Sequence, residues 1–441
     1  MNKGISLASL MLAAIIVCTG CGGSGTTSPV GSKATVTVTF PMDSATTSST
    51  APLVLPAAVA TQIGTGAWSA ATLQNNILTL SLPSGTTTFG IAYACPSYQD
   101  PQTNTLTQNE SVEEYSVQDG TTLNGFPCLS STSTFTGNTP PPNTTVEALS
   151  VDASAFPTTA QIYFFGLGNG GSISGNTGTY SGAFSNGSSD LAIVAEDINS
   201  LPLAIKILRN QTVPGTLNGG NPIVFLASDA MRAEPLTVTN VAAGFSTPSP
   251  VMFYQTANIG FDVSSQSGTQ YAVVPATEAQ AGDIYSVSVF DTDSLNSQFL
   301  NVSRNLASAG GPVTVALPAP LNYAGPTAEA FPTFDLKYTG FVSGSIPAGT
   351  AQGYTAFIQW TAPTGTSGSL GIGATPNYMN GGSTLTVPDL TRIRGFIEAA
   401  ASGQSVNWFA GVYVDTFQAT AAAFQNAYAE NVEAHGSYVE P

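Results

Sequence analysis

The chain has 441 residues, of which 42% are hydrophobic and only 8% charged, against about 25% charged in ordinary soluble proteins. That much apolar side chain fills packed cores, fits two to four domains of roughly 150 residues each, and excludes a disordered polar tail. A net charge of −17, from 26 Asp and Glu against 9 Lys and Arg, excludes nucleic acid as a partner, because phosphate backbones demand a basic footprint.

At the start, Lys3 precedes an apolar run from Ile5 to Val17, followed by Thr19, Gly20 and Cys21. A positive start, an apolar run too short to span comfortably and small residues before a break predict a cleaved signal peptide over residues 1–20. With Cys21 directly after Gly20, the segment resembles a bacterial lipoprotein leader. It departs from that family at Cys18, where Leu usually stands three residues before the modified Cys. The resemblance implies a diacylglyceryl group on the Cys21 thiol, acylation of the amine freed by cleavage, and loss of Lys3 with the leader. It also implies a lipid-anchored place in the cell envelope, at the outer membrane or cell surface rather than the inner membrane. Residues 21–32 then read as the lipidated Cys and a flexible tether, GGSGTTSPVGS from Gly22 to Ser32, with a reach of roughly 18 Å. Acyl chains make the membrane a partner without a transmembrane helix. A surface poor in ions also suits an acidic milieu, since few carboxylate pairings are there to be lost on protonation.

Past the tether, period-two alternation recurs almost to the end and predicts an all-β chain of tandem sandwiches. Val36, Val38 and Phe40 alternate with polar residues, and Phe89, Ile91, Tyr93 and Cys95 share one face of a later segment. Phe334, Leu336 and Tyr338 repeat the pattern, as do Trp408, Ala410, Val412 and Val414. Turns are expected at Asn124-Gly125, Asn169-Gly170, Asn186-Gly187, Asn218-Gly219 and Asn380-Gly381, where positive φ is tolerated. Thr139–Asn143 (TPPPN) and Ser246–Pro250 (STPSP) read as linkers. They divide the body into a first sandwich module at 33–138, a second at 143–245 and a C-terminal β domain at 250–441, with a seam near 318–320 if that region is two domains. One helix is expected near the C-terminus, over Thr416–Glu430, where Phe417, Phe424 and Tyr428 share a face.

A diffuse repeat links the first two modules. Leu80–Ala94 carries a strand, a turn at Pro83 and Gly85, and an alternating strand led by Phe89; Gly182–Glu196 repeats it around Gly187, 102 residues on. The arrangement is similar to carboxypeptidase-regulatory or transthyretin-like β-sandwich modules over residues 33–245. The second copy departs from that pattern, with Ser185 for the Pro and Leu191 for the aromatic.

Chemical motifs are sparse. The lone histidine, His435, reads as an exposed imidazole near the terminus, which removes multi-histidine metal sites and an ordinary Ser-His-Asp triad. Gly166–Gly171 matches G-x-G-x-x-G but runs on into turn composition rather than a helix, so it reads as a hairpin loop and no cofactor is expected. Asp291 and Asp293, with Asn296, are candidate cation ligands lacking the glycine and closing glutamate of an EF-hand. Glu113-Glu114 and Glu196-Asp197 are expected on the surface, each pair diverging because neighbouring strand residues face opposite ways. Trp360 and Trp408 read as buried, whereas Trp68, in a Gly/Ala/Ser stretch, is the candidate for ligand stacking. Cys95 and Cys128, left as an even pair in an oxidising compartment, are expected to form a disulfide.

These features point to a non-enzymatic, lipid-anchored envelope protein with a structural or interaction role. A carbohydrate-binding or adhesive surface lipoprotein is the alternative, and a carboxylate-dependent hydrolase the third reading. The partners expected are the membrane and another envelope protein or a polysaccharide.

Overall fold

The computed structural model describes residues 33–42, 53–99, 105–126, 128–129, 144–264, 268–295, 297–306, 310–323, 325–326, 328–329, 331–342, 353–415 and 428–440. The leader, Cys21, the tether, the expected linker Thr139–Asn143, Asn296 and residues 416–427 lie outside them.

Among the described residues the fold is nearly all β. Helix is confined to short turns, the one α-helical turn being Pro376–Met379, capped by the Thr375 hydroxyl and closed by Asn380 in the left-handed region. Tyr428–Glu430, the end of the expected helix, begins the strand Tyr428–Val439 instead. That strand pairs on both sides, and two ladders of hydrogen bonds outweigh a local helical spacing.

The chain builds one seven-strand plan repeatedly. The first strand lies between the fourth, antiparallel, and the seventh, parallel; the second lies between the third and fifth, and the sixth follows the fifth. In module one the strands are Ala34–Thr39, Ala58–Ile63, Ser69–Ala71, Ile77–Leu82, Thr88–Ala94, Leu106–Ser116 and Thr122–Asn124. Module two uses Thr144–Asp152, Gln161–Gly166, Asn169–Ser174, Thr177–Ser185, Gly187–Glu196, Pro202–Val213 and Ile223–Val224. Module three uses Arg232–Thr239, Ser249–Gln255, Gly260–Asp262, Gln270–Val273, Ile284–Thr292, Gln298–Leu306 and Val313–Ala316. Module four repeats the first six, Thr333–Asp335, Gly353–Thr361, Ser367–Ala374, Thr384–Thr386, Ser405–Asp415 and Tyr428–Val439. No described strand takes its seventh place, and Tyr323 packs against Phe334 and Trp408.

Ser246–Pro250, expected as a linker, thus joins the first two strands of module three, and Pro250 itself pairs with Val289. Only 253–255 of that strand are paired on the other side, so Pro250 costs no ladder bond there. Modules two and three instead meet between Val224 and Arg232, and Pro318 and Pro320 fall between modules three and four.

The modules do not stay separate. The sixth strands of modules three and four pair antiparallel, and the third strand of module four pairs parallel with the sixth strand of module one. The result is one 13-stranded sheet, counting the short Tyr98–Gln99. Its outermost strands, Gly260–Asp262 and Ser69–Ala71, have three residues each, too short to template pairing with another chain. Module two stays outside this sheet but lays Ala192, Val194, Ile205 and Ile207 against the shared core, where Phe165 stacks on Phe261 of module three. Modules one and two keep cores of their own, centred on Phe89 and Tyr93 and on Phe164 and Phe184. Modules three and four share a single core.

Cys95 and Cys128 form the expected disulfide across 33 residues, a loop whose closure stabilises module one by about 3–4 kcal/mol in the chain-entropy model. Gly166–Gly171 is a hairpin as read: Gly166, Leu167 and Gly168 turn the chain at positive φ, and a Cβ on Gly166 would lie 2.3 Å from the Asp190 carbonyl oxygen.

Candidate functional site

The strand Leu106–Ser116 is interior to the long sheet, and its alternation decides where its acids go. Val112 and Glu110 face the core shared with module four, as does Glu114, while Tyr115 faces the core of module one. Glu110, Glu113 and Glu114 are all buried, at 7%, 7% and 8% exposure. The surface position expected for Glu113-Glu114 is therefore overturned, because both edges of this strand are paired and both faces are covered. Their divergence holds: Glu114 accepts from the Tyr378 hydroxyl at 3.0 Å, whereas Glu113 lies across Gly373, 2.7 Å from where its Cβ would stand. Burial pushes the pKa of Glu110 and of Glu114 up to about 7.

Glu110 borders a narrow cleft at the joint of modules one and four, whose internal space of about 30 Å³ has room for a water molecule or two. The Ile397 backbone N–H donates to Glu110 Oε1 at 2.5 Å and the Gln108 amide at 3.0 Å. Glu440 lines the same cleft with Trp360, Tyr438 and Phe331. Trp360 is fixed by an indole N–H bond to the Glu398 carbonyl at 2.7 Å. Carboxyls and aromatics thus meet in one concave place. Its signal in the sequence was Asn109-Glu110, where an acid two residues before Val112 shares a buried strand face.

The other candidates are taken up in part by the fold's own hydrogen bonds, although Asp291 Oδ2 is buried without one. Asp291 is buried and accepts from Ser246 Oγ at 3.0 Å and the Thr292 N–H at 2.9 Å. Asp293 ties down a turn, accepting from the Ser297 N–H at 2.5 Å and the Gln298 N–H at 3.1 Å. Among the described residues no group of three or more His, Cys, Asp and Glu is placed to hold a metal ion.

His435 is not on an exposed tail. It sits half-buried in the strand Tyr428–Val439, its backbone N–H donating to the Ser297 carbonyl at 2.8 Å, and burial lowers the imidazole pKa although Asp293 pulls the other way. His435, Ser297 and Asp293 thus gather in one place, but the Ser297 hydroxyl donates to Asp293. A nucleophile needs its base as acceptor, and this serine has a carboxylate instead.

Glu196 has its pKa raised to about 7 by burial and by the nearby charges of Asp262 and Asp197, but both neighbours are held in turns of their own. Glu196 and Glu113 lie in different sheets. Trp360 and Trp408 are buried, as read. Trp68 is half-buried rather than exposed: its ring lies over Gly90, where a Cβ would come within 2.6 Å, and it packs on the shared core. No family model matches the chain, and no curated protein is significantly similar to it.

Proposed function

We propose that the protein is a non-catalytic, lipid-anchored protein of the bacterial envelope, whose fused modules make a rigid body with a structural or interaction role. The observation that carries this is the use to which its scarce charges are put: they join modules. Glu110 and Glu114 of module one accept from Ile397 and Tyr378 of module four, and Asp119 accepts from Thr375 and Asn377. Between modules two and three, Lys206 bridges Asp229 and Glu278 at 2.8 and 3.1 Å, and Arg209 reaches Asp283 at 2.6 Å and Asp190 at 3.3 Å. Acids committed to structural donors are poor general acids or bases, because proton transfer would break the bonds that position them. The strand–turn–strand segments similar to carboxypeptidase-regulatory modules fall on the fourth and fifth strands of modules one and two, which supports reading the chain as an array of such modules.

One observation favours polysaccharide binding as a second reading. Two half-buried aromatic pairs, Phe290–Phe299 at 5.9 Å and Phe357–Phe409 at 5.0 Å, lie on the sheet face opposite the buried tryptophans and offer apolar ring surface.

Two experiments test the primary reading. Intact-mass analysis of membrane fractions is expected to find acyl mass on Cys21, absent from Cys21→Ser; an unmodified mature N-terminus in the wild type would end the anchor. A hydrolase panel is expected to be silent, and turnover that vanishes in Glu110→Gln would overturn the non-catalytic reading.

A further inference from the structure

Modules one, two and three close their first strand in the same way. A seventh strand runs parallel to its C-terminal half. The backbone N–H just after that strand donates to the last carbonyl of the first: Gly125 to Thr39 at 2.9 Å, Phe225 to Asp152 at 2.8 Å and Leu317 to Thr239 at 3.0 Å. The seventh strands bury aliphatic residues, Leu123, Ile223, Val313 and Val315.

Module four sets up the same joint and leaves it open. In module three the Leu236 N–H donates to the Thr269 carbonyl, beside the fourth strand, at 2.9 Å, and Thr237 and Thr239 pair with the seventh strand. In module four the Leu336 N–H donates to the Ser383 carbonyl at 2.8 Å in the corresponding place. Lys337 and Thr339 therefore correspond to Thr237 and Thr239. Successive residues of a strand turn their N–H and C=O to opposite edges, so those of Lys337 and Thr339 point away from the fourth strand. Among the described residues no backbone hydrogen bond reaches either of them, and both are exposed. Tyr323 packs on Phe334 and Trp408, which closes the core there without pairing with this edge.

We propose that residues 336–339 take their seventh strand from another polypeptide: an extended segment, parallel to the first strand, with aliphatic residues at alternate positions. Four residue pairs are the whole of this contact in module three, so the edge is long enough for the strand it lacks. Strand addition draws its affinity from main-chain hydrogen bonds, and the three closed modules show which side chains the place accepts. The site rests on the interaction role proposed above, but neither on the lipid anchor nor on the absence of catalysis.

Fluorescence-anisotropy titration of the intact protein with a labelled peptide of residues 312–318, the seventh strand of module three, tests it. Saturable binding to one site is expected. The same peptide N-methylated at Val315 and Leu317 is expected to bind at least about ten-fold more weakly, since two main-chain hydrogen bonds are lost. Lys337→Pro removes an N–H from the edge that no described bond uses, and is expected to weaken binding by a similar factor with unchanged melting. Lys337→Ala is expected to bind as the wild type does. No saturable binding, equal affinity for the methylated peptide, or full retention of binding in Lys337→Pro would each overturn the proposal. Self-association of the protein alone that Lys337→Pro abolishes would overturn it too, by making a second copy of the chain the occupant. The two peptides compared on the wild type decide the matter even if the variant misfolds, and failure here would leave the acyl-mass and hydrolase tests as they stand.

Discussion

Glu110 and Glu114 share one strand face and hold their protons unusually tightly, because burial raises each pKa from 4.5 to about 7. The folded chain therefore binds more protons than the unfolded chain between those values, and stability falls as pH rises through that window. Below pH 4.5 the contribution is fully present; above 7 it is gone. Each group is worth on the order of 2–3 kcal/mol. Burial raises Glu430 and Glu433 in the same sense. His435 opposes them, since its lowered pKa weakens the fold as pH falls through 6.5, but it is one group against several, Glu196 among them. Asp190 and Asp293, whose pKa values are lowered, withdraw their support only in more acid solution. The melting temperature is accordingly expected to be several degrees higher at pH 5 than at pH 8, and the difference to shrink in Glu110→Gln/Glu114→Gln. A protein that melts higher at pH 8 would contradict this account, and with it the suitability for an acidic milieu expected from composition.

At the scale of elements, the sixth strand of module two, Pro202–Val213, carries two of the chain's few basic residues on the side turned to module three. Arg209 serves Asp283 and Asp190, both nearly buried, and the Tyr254 hydroxyl donates to the same Asp283 oxygen at 2.6 Å. Removing the cation would leave two desolvated carboxylates facing each other's fields. Arg209→Met is therefore expected to cost about 3 kcal/mol or more in urea unfolding, with amide exchange accelerating first in residues 202–213. A variant as stable as the wild type would show that the joint rests on apolar contact alone. The strands themselves were legible: Val36, Val38, Phe89, Ile91, Trp408 and Ala410 alternate because one face of each strand is buried. Asn218 and Asn380 mark turns for the reason given, each lying at positive φ. What could not be read was which strands become interior to the long sheet. Pairing between residues 106–116 and 367–374 is invisible to local pattern, and it is this pairing that buries Glu110, Glu113 and Glu114 and forms the cleft. The module count was hidden likewise, because Pro250 signals a turn whether the turn lies within a module or between two.

For the whole molecule, that parallel pairing sets the dimensions. Eight residues of module four align with eight of module one, among them Val112, fully buried opposite Ile372. Module one has its own core and disulfide, so it can survive the loss of this contact. Val112→Asp is expected to detach it, raising the radius of gyration in small-angle scattering while Cys95 and Cys128 stay bridged. An unchanged scattering profile would mean that the shared core alone holds the two modules together.

The order of modules along the chain is one, two, three, four, but the order of their contacts is two, three, four, one. Each sequence of links reaches every module without the other. A protease that severs a single connection, for instance at residues 240–248 within module three, would therefore leave no piece free to diffuse away, because the fragments remain clasped through ladders and cores elsewhere. A nicked molecule would still be a whole one.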